Sequence, residues 1–133
     1  ERLIVQYQGW NMALFVCYDL RFPVWLRNVD NEYDILLIVA NWPQSRSYAW
    51  KQLLIARAIE NSCYVCGVNR IGEDGTQLKY SGDSMILDMK GYPLVSARPG
   101  ENEIITTELS LSKLQLYRQN FPFWRDNDKF LLQ

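Results

Sequence analysis

Leu3 to Tyr7 reads as a strand, β-prone and polar only at Gln6, and it ends at Gln8-Gly9, a dipeptide suited to a tight turn. Met12 to Cys17 then runs apolar, so the two segments together predict a β-hairpin. Pro23 suits the first turn of a helix, where its missing N–H has no acceptor to lose, and a helix is expected from Pro23 to about Asn28. The unbroken run Ile35-Leu36-Leu37-Ile38-Val39-Ala40 reads as a strand buried on both faces. The clearest helical period follows. Trp50, Leu53, Leu54, Arg57, Ala58 and Asn61 recur at steps of three and four, with Ser45 or Ser47 placed to cap them. Tyr64 to Val68 reads as the next strand, closed by Asn69-Arg70. Beyond Gly- and Asp-rich turns, Ser84 to Asp88, Leu94 to Ala97 and Ile104 to Leu109 predict three more strands. Ser110 then caps a short last helix ending near Tyr117.

Strands alternating with helices imply βαβ crossovers, here followed by an antiparallel meander: an α/β fold with a mixed sheet and helices on one face. Two helices cover one face of such a sheet, whereas the Ile35–Ala40 run asks for cover on both. The second face is therefore expected to be covered by something outside this chain. No internal repeat, linker or low-complexity segment interrupts the pattern.

Composition narrows the function classes. With 133 residues and 48% hydrophobic content the chain can build one core. A net charge of -1 with scattered basic residues leaves no electrostatic footprint for nucleic acid or an anionic membrane. No apolar stretch approaches the length of a bilayer span, and Glu1-Arg2 leads into a strand without a signal-peptide pattern. Three cysteines are too few and too odd for a disulfide framework, which fits a reducing cytoplasmic setting. With no histidine, this chain alone cannot build a Ser-His-Asp triad, a Cys-His pair or a histidine-ligated zinc site. A cysteine nucleophile here would need a carboxylate or an amine as its proton acceptor.

Cys17 is the strongest chemical candidate. It ends an apolar strand, and Tyr18-Asp19-Leu20-Arg21-Phe22-Pro23 turns toward a helix. A thiol at a strand-to-helix turn is exposed at the sheet's edge, and the backbone N–H groups after it can receive a developing oxyanion. On position alone, the competing reading is a small buried hydrophobe.

The sequence Cys17-Tyr18-Asp19-Leu20-Arg21-Phe22-Pro23 resembles the nucleophile motif of the nitrilase, or carbon–nitrogen hydrolase, superfamily. The resemblance continues through Asn41-Trp42-Pro43, Arg57-Ala58-Ile59-Glu60-Asn61, Asn69-Arg70 and Tyr80-Ser81-Gly82-Asp83-Ser84, and it is nearest to the omega-amidase-like branch. Five motifs in order are far more specific than one. The resemblance implies an α-β-β-α sandwich and a Glu-Lys-Cys triad. Cys17 would attack an amide or nitrile carbon to form a thioester-type intermediate, with the Tyr18 backbone N–H supporting the oxyanion. In that family the glutamate and lysine lie upstream of the cysteine motif. Here the residues before Cys17 include Glu1, outside the family's glutamate context, and no lysine. Residues 1–133 are accordingly expected to form the C-terminal half of a single sandwich domain, inactive alone, with no metal or organic cofactor and a tendency to form homodimers or larger homo-oligomers.

Four further residues are candidates for binding a small carboxylated monoamide. Asn41 and Trp42 follow the buried strand at its carboxyl end, where open α/β sheets place ligands. Arg46 opens the loop-to-helix junction and suits an acidic substrate. Arg21 has two readings: a substrate carboxylate, or internal pairing with Asp19, Glu60 or another carboxylate of the fold. Glu60 as a local base is disfavoured by its distance in sequence from the strand tip. Cys63 and Cys66, three apart across a strand, point to opposite faces and read as core rather than as a redox or metal pair. Phe121, Phe123 and Trp124 read as a tail packing against a neighbour, such as a second subunit, rather than as a carbohydrate or base platform. Two readings compete with the enzyme: a non-catalytic interaction module, and a thiol redox protein resting on Cys63 and Cys66.

Overall fold

The computed structural model describes residues 2–130; Glu1 lies outside the described residues. The hairpin is present as β1 (Leu3–Tyr7) and β2 (Trp10–Val16), joined by Gln8 and Gly9, both at positive φ (47° and 83°). A 3-10 turn (Cys17–Arg21) and α1 (Pro23–Leu26) lead to β3 (Ile35–Ala40); α2 (Ser47–Asn61) then leads to β4 (Tyr64–Asn69). A small ribbon of β5 (Ile71–Glu73) and β6 (Lys79–Ser81) follows, then β7 (Met85–Leu87), β8 (Pro93–Ser96) and α3 (Leu111–Asn120). The main sheet runs β1-β2-β3-β4-β7-β8, with β2, β3 and β4 parallel and the outer pairs antiparallel. This is the mixed α/β sheet that the alternation of elements implied.

The register explains the two faces. Ala13, Leu36, Val65 and Leu87 form one cross-strand row; Phe15, Ile38, Gly67 and Met85 form the next. Both rows are buried under Trp50, Leu54 and Ala58 of α2. Gly67 is what lets that helix sit so close: a Cβ there would lie 2.5 Å from Leu54 Cδ1 and 2.9 Å from Trp50 Cζ2. On the opposite face the rows are Leu3, Leu14, Leu37, Cys66 and Ile86, and beyond them Val16, Val39 and Val68. Helix α3 covers one end of this face, where Leu114 packs with Ile35, Tyr64 and Met89. The other end is open: Leu3, Val16, Val39 and Val68 are all more than half exposed (58%, 60%, 54% and 51%). The Ile35–Ala40 strand is thus apolar on both faces but fully covered on one.

Arg118 secures α3 to the sheet. Its guanidinium pairs with Asp34 Oδ1 at 2.8 Å and donates to the carbonyls of Ser62 (2.9 Å) and Tyr33 (2.8 Å). Asp34 in turn accepts the Asn11 N–H, so one buried ion pair ties together β2, β3, β4 and α3.

Five expectations need correction. The helices do not share one face: α2 packs on one face of the sheet and α3 on part of the other. Helix α1 stops at Leu26 rather than Asn28, because Asn28 is drawn into its own network: its N–H donates to Asn61 Oδ1 and its amide to the Tyr33 and Asn61 carbonyls. Neither Ser45 nor Ser47 caps α2; Arg46 holds the N-cap position without a side-chain bond, and Ser47 Oγ donates to Asp83 instead. The Gly- and Asp-rich segment contains the β5–β6 ribbon, whose turn is built on Asp74 Oδ1 accepting from Thr76 and Leu78. Ile104 to Leu109 forms no strand; its β-branched Ile and Thr residues are strand-like, but it has no pairing edge among the described residues, and Ile104 is 97% exposed. Ser110 does cap α3, accepting from the Lys113 N–H, and the helix runs past Tyr117 to Asn120.

The close approach at Gly67 generates a stability prediction. Gly67→Ala forces Leu54 or Trp50 off its packed position and should cost about 1–3 kcal/mol. Urea unfolding checks it; an unchanged midpoint would contradict the packing described.

Candidate active site

Chemistry gathers at the carboxyl ends of the parallel strands. Val16 and Val39 are register partners, so Cys17 after β2 and Asn41 after β3 emerge side by side. Cys17 itself adopts φ 44°, a left-handed conformation that turns the chain abruptly from extended strand into the 3-10 turn. Asp19 locks this elbow: its carboxylate accepts the Val16 N–H at 3.0 Å and its carbonyl accepts the Phe22 N–H at 2.9 Å. The N–H of Tyr18 lies in the first turn after the strand, where helical geometry supplies no acceptor. The Tyr18 ring is 65% exposed and leans on Phe22, so what Tyr18 offers the site is its backbone.

All six residues picked out in the sequence line one hollow of about 280 Å³: Cys17, Tyr18, Arg21, Asn41, Trp42 and Arg46, together with Pro43. The half-buried Cys17 thiol lies 3.9 Å from the Asn41 carbonyl oxygen. Trp42 is buried, donates its indole N–H to the Arg46 carbonyl at 2.8 Å, and carries the Arg21 guanidinium 4.7 Å over its ring. The internal partners once open to Arg21 are engaged elsewhere, Asp19 with Val16 and Glu60 with Arg57 at 2.8 Å. Neither Arg21 nor Arg46 has a carboxylate partner among the described residues. The hollow therefore holds a thiol, a free backbone donor and two guanidiniums. Among the described residues no carboxylate or amine lines it, and Glu60 sits in a separate hollow beside Arg27.

Larger hollows exist, of about 590 Å³ beside Tyr117 and about 480 Å³ beside Arg27, and no thiol lines either. Cys66 lines a third, and burial pushes its thiol pKa up. Cys63 is fully buried in the α2-side core, whereas Cys66 lies in the opposite-face row; both are free thiols. Burial also drives the Cys63 pKa well upward. The aromatic tail stacks on itself, Phe121 lying 5.2 Å from Phe123 and 6.3 Å from Tyr117 between ring centroids.

Two groups that support the hollow carried no assigned role in the sequence. Buried Asn69, at the carboxyl end of β4, grips the Trp42 backbone. Buried Asp83 accepts from Lys51 Nζ (2.7 Å), Ser47 Oγ (2.7 Å) and Ser81 Oγ (2.5 Å), while its carbonyl takes the Trp50 indole N–H at 2.9 Å. The strand-end rule that singled out Asn41 applies equally to Asn69. Asp83 left no such signal, because its partners come from α2 and β6.

The chain matches the carbon-nitrogen hydrolase family over residues 2–119. It belongs to that family. It is 52% identical to the omega-amidase YafV of Yersinia enterocolitica over 132 residues, which is 99% of this chain and 51% of that protein. It is 39% identical to a 2-oxoglutaramate amidase of Bacillus subtilis over 118 residues, 87% of this chain and 44% of the relative. The structure of XC1258 from Xanthomonas campestris, a CN-hydrolase superfamily protein with an arsenic adduct in its active site, superposes with a TM-score of 0.96. The two are 47% identical, over all of this chain and 52% of the other. The chain thus spans about half the length of these relatives. Among the described residues, no helix is long and apolar enough to cross a membrane.

Asp83 gives a pH prediction. Burial raises its pKa, but the hydrogen bonds from Lys51, Ser81 and Ser47 prevail and hold it below the ordinary 3.8. A carboxyl so lowered stabilises the fold at pH above its ordinary value, and that stability is lost as pH falls through the lowered one. The Tm deficit of Asp83→Asn should therefore be largest near neutrality and shrink below pH 3.8. A deficit that grows on acidification would contradict this.

Proposed function

We propose that this chain carries the nucleophile side of an amidase site, acting on small monoamides that bear a carboxylate. The observation that carries the reading is the single hollow in which the Cys17 thiol faces two guanidiniums without carboxylate partners. Arg46 and Arg21 hold the substrate carboxylate by charge-assisted hydrogen bonds. The Cys17 sulfur attacks the amide carbon, and the carbonyl oxygen takes up negative charge against the Tyr18 N–H. Collapse breaks the C–N bond, the nitrogen leaves as ammonia with the proton taken from the thiol, and a thioester remains on Cys17. Water then attacks the thioester, yielding the free acid and restoring the thiol. The omega-amidase and 2-oxoglutaramate amidase relatives support this substrate class.

Proton transfer needs a base, and none of the described residues lining the hollow is one. In the resembled family a glutamate and a lysine supply base and oxyanion support, both from upstream segments. The 133-residue chain alone is accordingly catalytically silent, and activity requires a partner segment bearing those groups. The open apolar end of the sheet, with Val16, Val39 and Val68, is the surface such a segment would cover, and it equally favours the second reading of a non-catalytic interaction module.

The experiment is ammonia release from short dicarboxylic monoamides by the protein extended upstream with a segment bearing the glutamate and lysine. Turnover should vanish in Cys17→Ala. Arg46→Ala should raise KM at least about tenfold for the carboxylated amide, the scale of one charge-assisted hydrogen bond, and leave an uncharged amide unaffected. Turnover unchanged by Cys17→Ala would overturn the reading. A folded, extended protein without turnover would favour the interaction module.

A further inference from the structure

We propose that Asn69 is a positioning residue for the Cys17 thiol, acting through the Asn41–Trp42 peptide. This deepens the amidase reading and rests on it for catalytic meaning, although the geometry stands by itself. The Asn69 side chain is buried and uses its acceptor and both donors. Its Oδ1 accepts the Trp42 N–H at 2.7 Å, and its Nδ2 donates to the Trp42 carbonyl at 2.9 Å and to the Gly82 carbonyl at 2.8 Å. One amide thus clamps both peptide planes that flank Trp42.

The first of those planes contains the Trp42 N–H and the Asn41 carbonyl. In a trans peptide these two groups point in opposite directions, so fixing the N–H on one side fixes the carbonyl oxygen on the other. That oxygen is the one 3.9 Å from Cys17 Sγ. Asn69 therefore determines where the thiol's acceptor sits without touching the thiol. The second plane sets the backbone of Trp42, whose ring carries Arg21. Asn69 is itself held in place, since its N–H donates to Ser84 Oγ at 2.9 Å and Arg70 N–H donates to the Ala40 carbonyl at 3.2 Å. A buried amide with all its bonds made is rigid, and losing it leaves the Trp42 N–H without its acceptor. Without the clamp, the peptide can turn, and the sulfur can leave the Asn41 wall for the mouth of the hollow.

The test is the rate of alkylation by iodoacetamide, resolved by peptide mass spectrometry, under conditions where the chain is folded. An added peptide with a single cysteine is the reference, because Cys66 lines one hollow with Asn69 and Ser84, and the fully buried Cys63 reports global opening. In Asn69→Ala the ratio of Cys17 to reference-peptide labelling should rise at least threefold, with Cys63 still unlabelled. Asn69→Ser, whose hydroxyl is too short to reach the Trp42 peptide, is made beside it as a second variant in case alanine is not tolerated, and should behave alike. Ser84→Ala loosens the same strand end but leaves the amide grip intact, and should leave the ratio as in wild type. A rise below threefold in folded Asn69 variants, or an equal rise in Ser84→Ala, would overturn the proposal. Failure of the amidase reading itself would appear separately, as monoamide turnover that survives Cys17→Ala.

Discussion

Parallel pairing of β2, β3 and β4 in one register aligns Val16, Val39 and Val68 in a row, and the site begins just beyond that row. Cys17 follows the first strand, Asn41 and Trp42 the second, and Asn69 ends the third. Hydrogen-bonded parallel strands lie about 4.8 Å apart, so groups emerging from neighbouring ends are within reach of one another without any special loop. The register is itself held by burial, since a one-residue slip would turn Leu36, Ile38 and Val65 out of the α2-side core. Packing of α2 on the sheet and the position of the thiol are thus one constraint.

The two faces of the sheet serve different ends. On the α2 side the core is closed, and Gly67 gives Trp50 and Leu54 the room to approach the strands. On the other side α3, secured by Arg118 and Asp34, covers only one end. The exposed valines beyond it border the strand ends from which Cys17 and Asn41 emerge. Whatever covers them in the proposed enzyme therefore also reaches the hollow where a base is needed. This links the open face to the chemistry without requiring the hollow's own residues to supply every group.

Much of this was legible in the sequence because it depends on local pattern. The Gln8-Gly9 dipeptide marks the first turn, and the three- and four-residue steps from Trp50 to Asn61 record which side of α2 is buried. The six candidate residues were picked out by strand-end position, by the motif resemblance and, for Arg46, by its loop-to-helix junction, and the structure brings all six to one hollow. What escaped depends on contacts distant in sequence. Helix α1 ends early because Asn28 meets Asn61, Ser47 is drawn from its cap by Asp83, and Ile104–Leu109 lacks an edge to pair with. Arg118 and Asp34 are 84 residues apart, and nothing in either neighbourhood announces the other.

The most direct measurement is acid-quench mass spectrometry of the upstream-extended protein during turnover of a dicarboxylic monoamide. The account predicts that the peptide containing Cys17 gains the mass of the acyl group, that hydroxylamine removes it, and that Cys17→Ala never acquires it. Ammonia released with the acyl group on a different peptide, or on none even at the earliest quench times in a variant slowed at thioester hydrolysis, would contradict the assignment of Cys17 as the nucleophile.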